Sequence, residues 1–387
     1  MIGELQISAD ALRRNALALR DLVAPARAAF VVKANAYGHG LTEIAHIVEP
    51  YADRLCVYSI DEALELRDAG ISSAIFVMGP IESADLDEAV ARDLEFALWD
   101  TKSYLRNVAQ TVRHGHKRAR VHVKLNTGVA RLGLDPHDAV DAIDDYARFP
   151  ELEIAGIFSH LAAAEELDSP FTIDQIESFE RVCESAEGML FAKGAKPVRH
   201  IAASAAAMLW AQTRFDMVRI GVALYGLWPS EQTRIAMNGN GFTLEPALTY
   251  TTKLVAVRTV EAGTPIGYGC TYHAPKRTRI GVVPLGYADG IPRLLSNRGA
   301  FVAQGARCPI VGRVCMNMTM IDLGAESAAR PGDPVTLIGG QGEAAVTAED
   351  WAGWAETINY EIVARLPAEL RRTYVEKETP GRTPSLT

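Results

Sequence analysis

The 387-residue chain is 48% hydrophobic and 22% charged, the balance of a folded globular protein, and it is too long for one ordinary core. A net charge of −9 argues against nucleic acid or an anionic membrane as the main partner. No apolar run reaches the roughly 20 residues of a membrane span, and the opening MIGELQISADALRRN lacks the basic-then-apolar pattern of an export signal, so a cytoplasmic location is expected. The five cysteines (Cys56, Cys183, Cys270, Cys308, Cys315) are odd in number and form no CxxC pair. That pattern points to reduced thiols, with neither a disulfide framework nor a metal knuckle.

The chain opens on a helical pattern, ISADALRRNALALRDLV. Eight short apolar, β-branched runs follow, at 28–36, 54–60, 74–79, 94–99, 120–126, 152–160, 198–204 and 217–226. Between them lie amphipathic stretches such as SIDEALELRDAG, which ends on a glycine stop. The strands are apolar throughout rather than alternating, which predicts burial on both faces of a parallel sheet. Eight strands separated by helices predict a (β/α)8 TIM barrel over residues 1–235. From about 236 the pattern alternates more openly, with Gly/Pro turns in LTYTTKLVAVRTV, TRIGVVPLGY, CPIVGRVCMNMTMIDL and DPVTLIG. Residues 236–387 therefore read as a mostly β second domain with a short amphipathic element, AEDWAGWAE, and a polar tail, ETPGRTPSLT, that need not be ordered.

Barrel enzymes keep their chemistry at the C-terminal ends of the strands. Lys33 ends the first of these strands, Lys124 the fifth and His160 the sixth; Ser204 follows the seventh, and Arg219 and Gly221 lie at the eighth. A lysine in an apolar strand is costly to bury unless it is paired or modified. A strand-end lysine can also simply snorkel to solvent. The functional alternative for Lys33, in VVKANAYGHG, is a Schiff-base lysine whose burial leaves the amine nucleophilic. Ser204 opens the helical SAAAMLW, and Gly221 lets the backbone come close to an anion. A carbonyl-seeking lysine opposite a phosphate cradle is what pyridoxal 5′-phosphate requires.

VVKANAYGHG, VHVKLNTGVARLG, IFSHLAAAEE, VRIGVALYGLWPS, PLGYADGIPR and GRVCMNMTMIDLG, in this order, resemble the alanine racemases across nearly the whole chain. The resemblance implies an isomerase that interconverts L- and D-alanine, serving cell-wall synthesis or alanine catabolism, with Lys33 as cofactor carrier and one base. It implies Tyr268, in PIGYGCTY, as the second base, reaching the active site of a partner subunit in a homodimer. Arg219 matches the arginine facing the ring nitrogen, and His200 the histidine supporting it. Tyr37, Ser204, Gly221, Val222 and Tyr360 match phosphate contacts, and His160 lies near the ring. Arg131 and Met316 match groups near the substrate carboxylate, and Lys124 a lysine that is often carbamylated. Asn317 stands where the family commonly has Asp, and Ala203 where Asn is common, which opens the substrate range. The rival readings are a racemase of the same fold with broader specificity, for instance for serine, a barrel decarboxylase and a non-catalytic cofactor-holding protein. No metal site is expected.

Overall fold

The computed structural model describes residues 3–99, 108, 118–192 and 196–376. The chain divides into two compact units: Leu12–Ala36 with Leu41–Glu245, and Tyr37–Gly40 with the residues up to Ala11 and from Pro246 on. The polar tail named above falls outside the described residues.

The first unit is the expected barrel. Its strands are β2 (Arg27–Val31), β3 (Arg54–Val57), β4 (Ile75–Val77), β5 (Leu94–Leu98), β6 (Ala119–Lys124), β7 (Leu152–Phe158), β8 (Val198–His200) and β9 (Met217–Ile220). All neighbours pair in parallel, in the order β8-β7-β6-β5-β4-β3-β2-β9. The ring nearly closes between its ends, where Asp216 N donates to Arg199 O at 3.1 Å and Arg219 N to Ala202 O at 3.0 Å. Every residue of β3, β4 and β5 is buried, which is why, Arg54 and Glu95 apart, these strands read as apolar runs. Phe30, Phe76 and Phe96 are fully buried in this core, each stabilising the fold by about 1.5–3 kcal/mol. The helix Ile60–Asp68 starts on a capping box made by Ser59 and Glu62 and stops before Gly70, at φ 89°.

The second unit is β-rich. The opening residues, to which the sequence reading assigned no strand, form β1 (Glu4–Ser8). It lies in a seven-stranded sheet between β10 (Leu248–Lys253), antiparallel, and the strand Arg371–Val375, parallel. β11 (Ala256–Val260) belongs to a three-stranded sheet. β12 (Pro265–Ile266) and β13 (Tyr272–His273) make a short hairpin seated on Ile266, Ala274, Ile280 and Val311. AEDWAGWAE gives the helix Ala348–Trp354, capped by Thr347 and Asp350.

Candidate active site

β2 delivers Lys33 into an uncommon backbone. Ala34 (φ 55°, ψ 54°), Asn35 (53°, 47°) and Ala36 (51°, 53°) form a left-handed turn, and Tyr37 continues it at φ 52°. Non-glycine residues pay roughly 1–2 kcal/mol each for that conformation, and such strain gathers at functional sites. Three hydrogen bonds hold it. Ala36 N donates to Val32 O at 2.8 Å, Leu41 N to Asn35 Oδ1 at 2.8 Å, and Ala34 N to Glu62 Oε1 at 2.6 Å. Glu62 uses its other oxygen to accept from Tyr58 N at 2.8 Å, so one carboxylate ties the turn to the start of the helix Ile60–Asp68.

Burial, reinforced by the charges of Arg131 and Arg219 and opposed by Glu62, lowers the Lys33 pKa. Lys124 at the end of β6 is buried, and burial with the cations of Arg131, Arg219 and Lys33 brings it to about 8. Its ammonium lies 5.4 Å from the Phe158 ring centroid. No carboxylate pairs with it among the described residues. His160 is brought to about 3, first by burial and then by Arg219 and Arg131, and is therefore neutral at pH 7. Arg131 is exposed on the loop after β6. Lys124, Arg131 and His160 line one small cavity with Thr127 and Ser159.

Arg219, on β9, is buried and pinned. Nη1 donates to His200 Nδ1 at 2.7 Å and His200 O at 2.9 Å, and Nη2 to Ser159 O at 2.7 Å and Ile201 O at 3.2 Å. A guanidinium has five N–H groups, so only Nε–H lacks a partner among the described residues. Burial brings the guanidinium to about 10, and it stays charged at pH 7.

Two helix starts meet beyond β8 and β9. Ser204 begins the helix Ser204–Leu209, and Val222 begins a 3-10 turn to Tyr225. Gly221 N donates to Ser204 Oγ at 2.9 Å, which joins the two. First-turn amides have no intrahelical acceptor. Ala203 at the N-cap makes no side-chain cap, so they keep that freedom.

In the second unit Tyr37 faces Tyr360, ring centroids 6.2 Å apart. Tyr268 sits on the turn between β12 and β13 and is 71% exposed. Met316 is also exposed, and its carbonyl accepts from Ala288 N at 2.9 Å. Gly286 is obligatory beside it, because a Cβ there would lie 2.1 Å from Cys315 O. Asn317 Nδ2 donates to Asp289 Oδ2 at 3.4 Å, where an aspartate would face a like charge.

The sequence reading missed a buried polar chain behind Arg219, comprising His122, Glu95 and Arg54, with the half-buried Arg120 at its end. It also missed Glu62. Glu95 in LEFALW and His122 in RVHVKLN carry the same signal that singled out Lys33 and Lys124, a polar side chain inside an apolar strand.

The family model for the alanine racemase N-terminal domain matches residues 7–229, and that for the C-terminal domain matches 247–374. The chain belongs to the alanine racemase family. The curated alanine racemase of Symbiobacterium thermophilum is 39% identical over 375 residues, which cover 95% of this chain and 96% of that one. The crystal structure of alanine racemase from D-cycloserine-producing Streptomyces lavendulae superposes with a TM-score of 0.90 at 35% identity, covering 97% of both chains. That of alanine racemase from Bartonella henselae with covalently bound pyridoxal phosphate gives 0.84 at 26%, covering 97% of this chain and 100% of that one. With relatives of this identity over full length, the chain is an isomerase that interconverts L- and D-alanine. No helix among the described residues is long and apolar enough to cross a membrane, and no cluster of metal-binding side chains occurs among them.

Proposed function

We propose that the racemisation uses pyridoxal 5′-phosphate and two bases of this chain, Lys33 and Tyr268, in a cytoplasmic homodimer whose copies share their sites. The residues fit the cofactor. Lys33 is the amine that burial makes nucleophilic, the helix starts at Ser204 and Val222, joined by the Gly221 N–H on Ser204 Oγ, offer first-turn amides to a phosphate, and Arg219 has one N–H left to point at a ring nitrogen. When bound, the cofactor supplies the electron sink that makes the substrate α-C–H acidic. An arginine cannot give up its proton to the ring, so it keeps that sink weak and limits side reactions.

Inverting the α-carbon requires taking a proton from one face and returning one to the other, which a base on each face does better than one alone. Lys33, with its lowered pKa, takes one face and the Tyr268 hydroxyl the other. Arg131 and the Met316 backbone N–H would hold the substrate carboxylate. Tyr37 and Tyr360 would close on the phosphate, with His160 neutral beside the ring. The observation that carries the reading is Lys33 itself, a lysine disfavoured as an ammonium and held by a strained turn at the end of a barrel strand.

The test is incubation of the cofactor-loaded protein with L-alanine in D2O, following the α-proton by NMR. Solvent deuterium entering Cα together with loss of optical activity is the expected result. Decarboxylation, or no exchange with cofactor bound, would overturn the mechanism. Lys33→Ala should abolish exchange and the visible absorbance of the bound cofactor together. A parallel run with L-serine reads the substrate range that Asn317 leaves open.

A further inference from the structure

Behind Arg219 a chain of buried hydrogen bonds crosses the barrel interior. Arg219 Nη1 meets His200 Nδ1 at 2.7 Å, His200 Nε2 meets His122 Nδ1 at 2.8 Å, and His122 Nε2 meets Glu95 Oε2 at 3.0 Å. Beyond Glu95 stand two arginines. Arg54 Nη2 donates to Oε1 at 3.2 Å, with its Nε 2.9 Å from Oε2, and Arg120 also pairs with Oε1. Both imidazoles and Glu95 are fully buried. The rings are also held flat, His200 stacked on Phe158 at 5.1 Å and His122 on Phe76 at 4.3 Å. β7 makes room with Gly156, where a Cβ would come within 2.2 Å of His122 Nδ1.

The two ends of this chain leave only one proton pattern. Arginine has no lone pair to offer, so His200 Nδ1 must accept. Nδ1 therefore carries no proton, and the single proton of a neutral ring sits on Nε2. That proton is donated to His122 Nδ1, which places the His122 proton on Nε2, facing Glu95. A positive charge on His200 would set two donors against each other at 2.7 Å. One on His122 would do the same at 2.8 Å. Burial and the nearby arginines favour neutrality of both rings as well. Burial alone would raise the Glu95 carboxyl, but the His122 hydrogen bond and the charges around it outweigh that and hold it at about 2, so the far end is an acceptor.

We infer that Glu95 is a positioning residue: clamped as a carboxylate by Arg54 and Arg120, it fixes through His122 and His200 the hydrogen-bond direction that aims Arg219. In a Glu95→Gln protein the two arginines draw the amide oxygen, and the amide NH2 turns to His122 Nε2. His122 must then carry its proton on Nδ1, opposite the Nε2–H of His200. Either the chain breaks there, or it reverses and puts an N–H of His200 against Arg219.

The part assigned to Arg219 rests on the cofactor reading above; the proton pattern does not. The experiment is long-range 15N–1H correlation on the full-length, cofactor-loaded protein labelled with 15N-histidine, which reads the tautomer of each ring. In the native protein His122 and His200 should both be neutral Nε2–H tautomers from pH 6 to 8. An imidazolium or an Nδ1–H tautomer at either ring overturns the inference, with or without a folded variant. Glu95→Gln should lose the Nε2–H signature of His122. Arg120→Gln, which keeps the carboxylate, should retain it. A Glu95→Gln protein that melts lower yet keeps both native tautomers would make Glu95 merely structural and also overturn the inference. Neither failure would disturb the D2O exchange result.

Discussion

Lys124 is buried among cations at the barrel mouth, and burial with their charges lowers its pKa. A lysine with its pKa at about 8 is half neutral at pH 8, whereas one at the ordinary value of 10.5 is neutral in only about one molecule in three hundred. The neutral amine can attack dissolved CO2: the nitrogen lone pair forms an N–C bond, a proton leaves to water, and a carbamate anion remains. That anion would replace one of several clustered cations with a partner for Arg131. Carbon-13 NMR after equilibration with labelled bicarbonate at pH 8 should show one slowly exchanging carbamate signal, absent in Lys124→Ala. The sign with pH follows from the lowered pKa. The folded state holds the Lys124 proton less tightly than the unfolded chain, so the destabilisation is full below about 8 and fades as pH rises towards 10.5. Bicarbonate should therefore raise the melting temperature of the native protein, and leave that of Lys124→Ala unchanged.

At the scale of elements, the turn after β2 and the start of the helix Ile60–Asp68 act as one device. Glu62 joins them with one oxygen on Ala34 N and the other on Tyr58 N. Glu62→Gln puts an amide NH2 against one of the two backbone N–H donors, so one of these bonds is lost, which should cost about 1–3 kcal/mol and lower Tm by at least roughly 2 °C. It also removes the charge that raises the Lys33 pKa. The Lys33 pKa then drops further, and the acid limb of the kcat–pH profile should move to lower pH. An unchanged limb would mean that Glu62 only braces the backbone. The eight barrel strands were legible because parallel strands buried on both faces are mostly apolar, with the few polar residues among them, such as Glu95 and His122, held by one another. The left-handed turn was not legible, since nothing in Ala-Asn-Ala-Tyr distinguishes it from an ordinary loop and its cause lies at Glu62, 28 residues from Ala34. β1 escaped because five residues, ELQIS, alternate too briefly to register, and their partners come more than 240 positions later. Arg219 stood out at the eighth strand and took its role from the resemblance, while its support at Glu95 and His122 lies on separate strands that only the barrel brings together.

At the scale of the molecule, the second unit exposes several large apolar side chains around Tyr268. Tyr268 is 71% exposed, Met316 57% and Met318 50%. These side chains stand on neighbouring loops: Cys315 N bonds Met318 O at 2.9 Å, Tyr287 N bonds Cys315 O at 3.0 Å, and a Cβ on Gly267 would be 3.2 Å from Arg313 N. Such a patch supports contact with another copy of the chain. If Tyr268 serves the barrel of that copy, two inactive variants should rescue one another. Lys33→Ala retains the tyrosine, and Tyr268→Phe retains the lysine. Equal amounts that exchange subunits freely form mixed dimers about half of the time, and each mixed dimer holds one complete site out of two. The mixture should then recover about a quarter of native activity, from partners that show almost none alone. Native mass spectrometry on chains of distinguishable mass establishes the mixed dimers. No recovery in their presence would place both bases within one chain, and would leave the exposed methionines to some other contact.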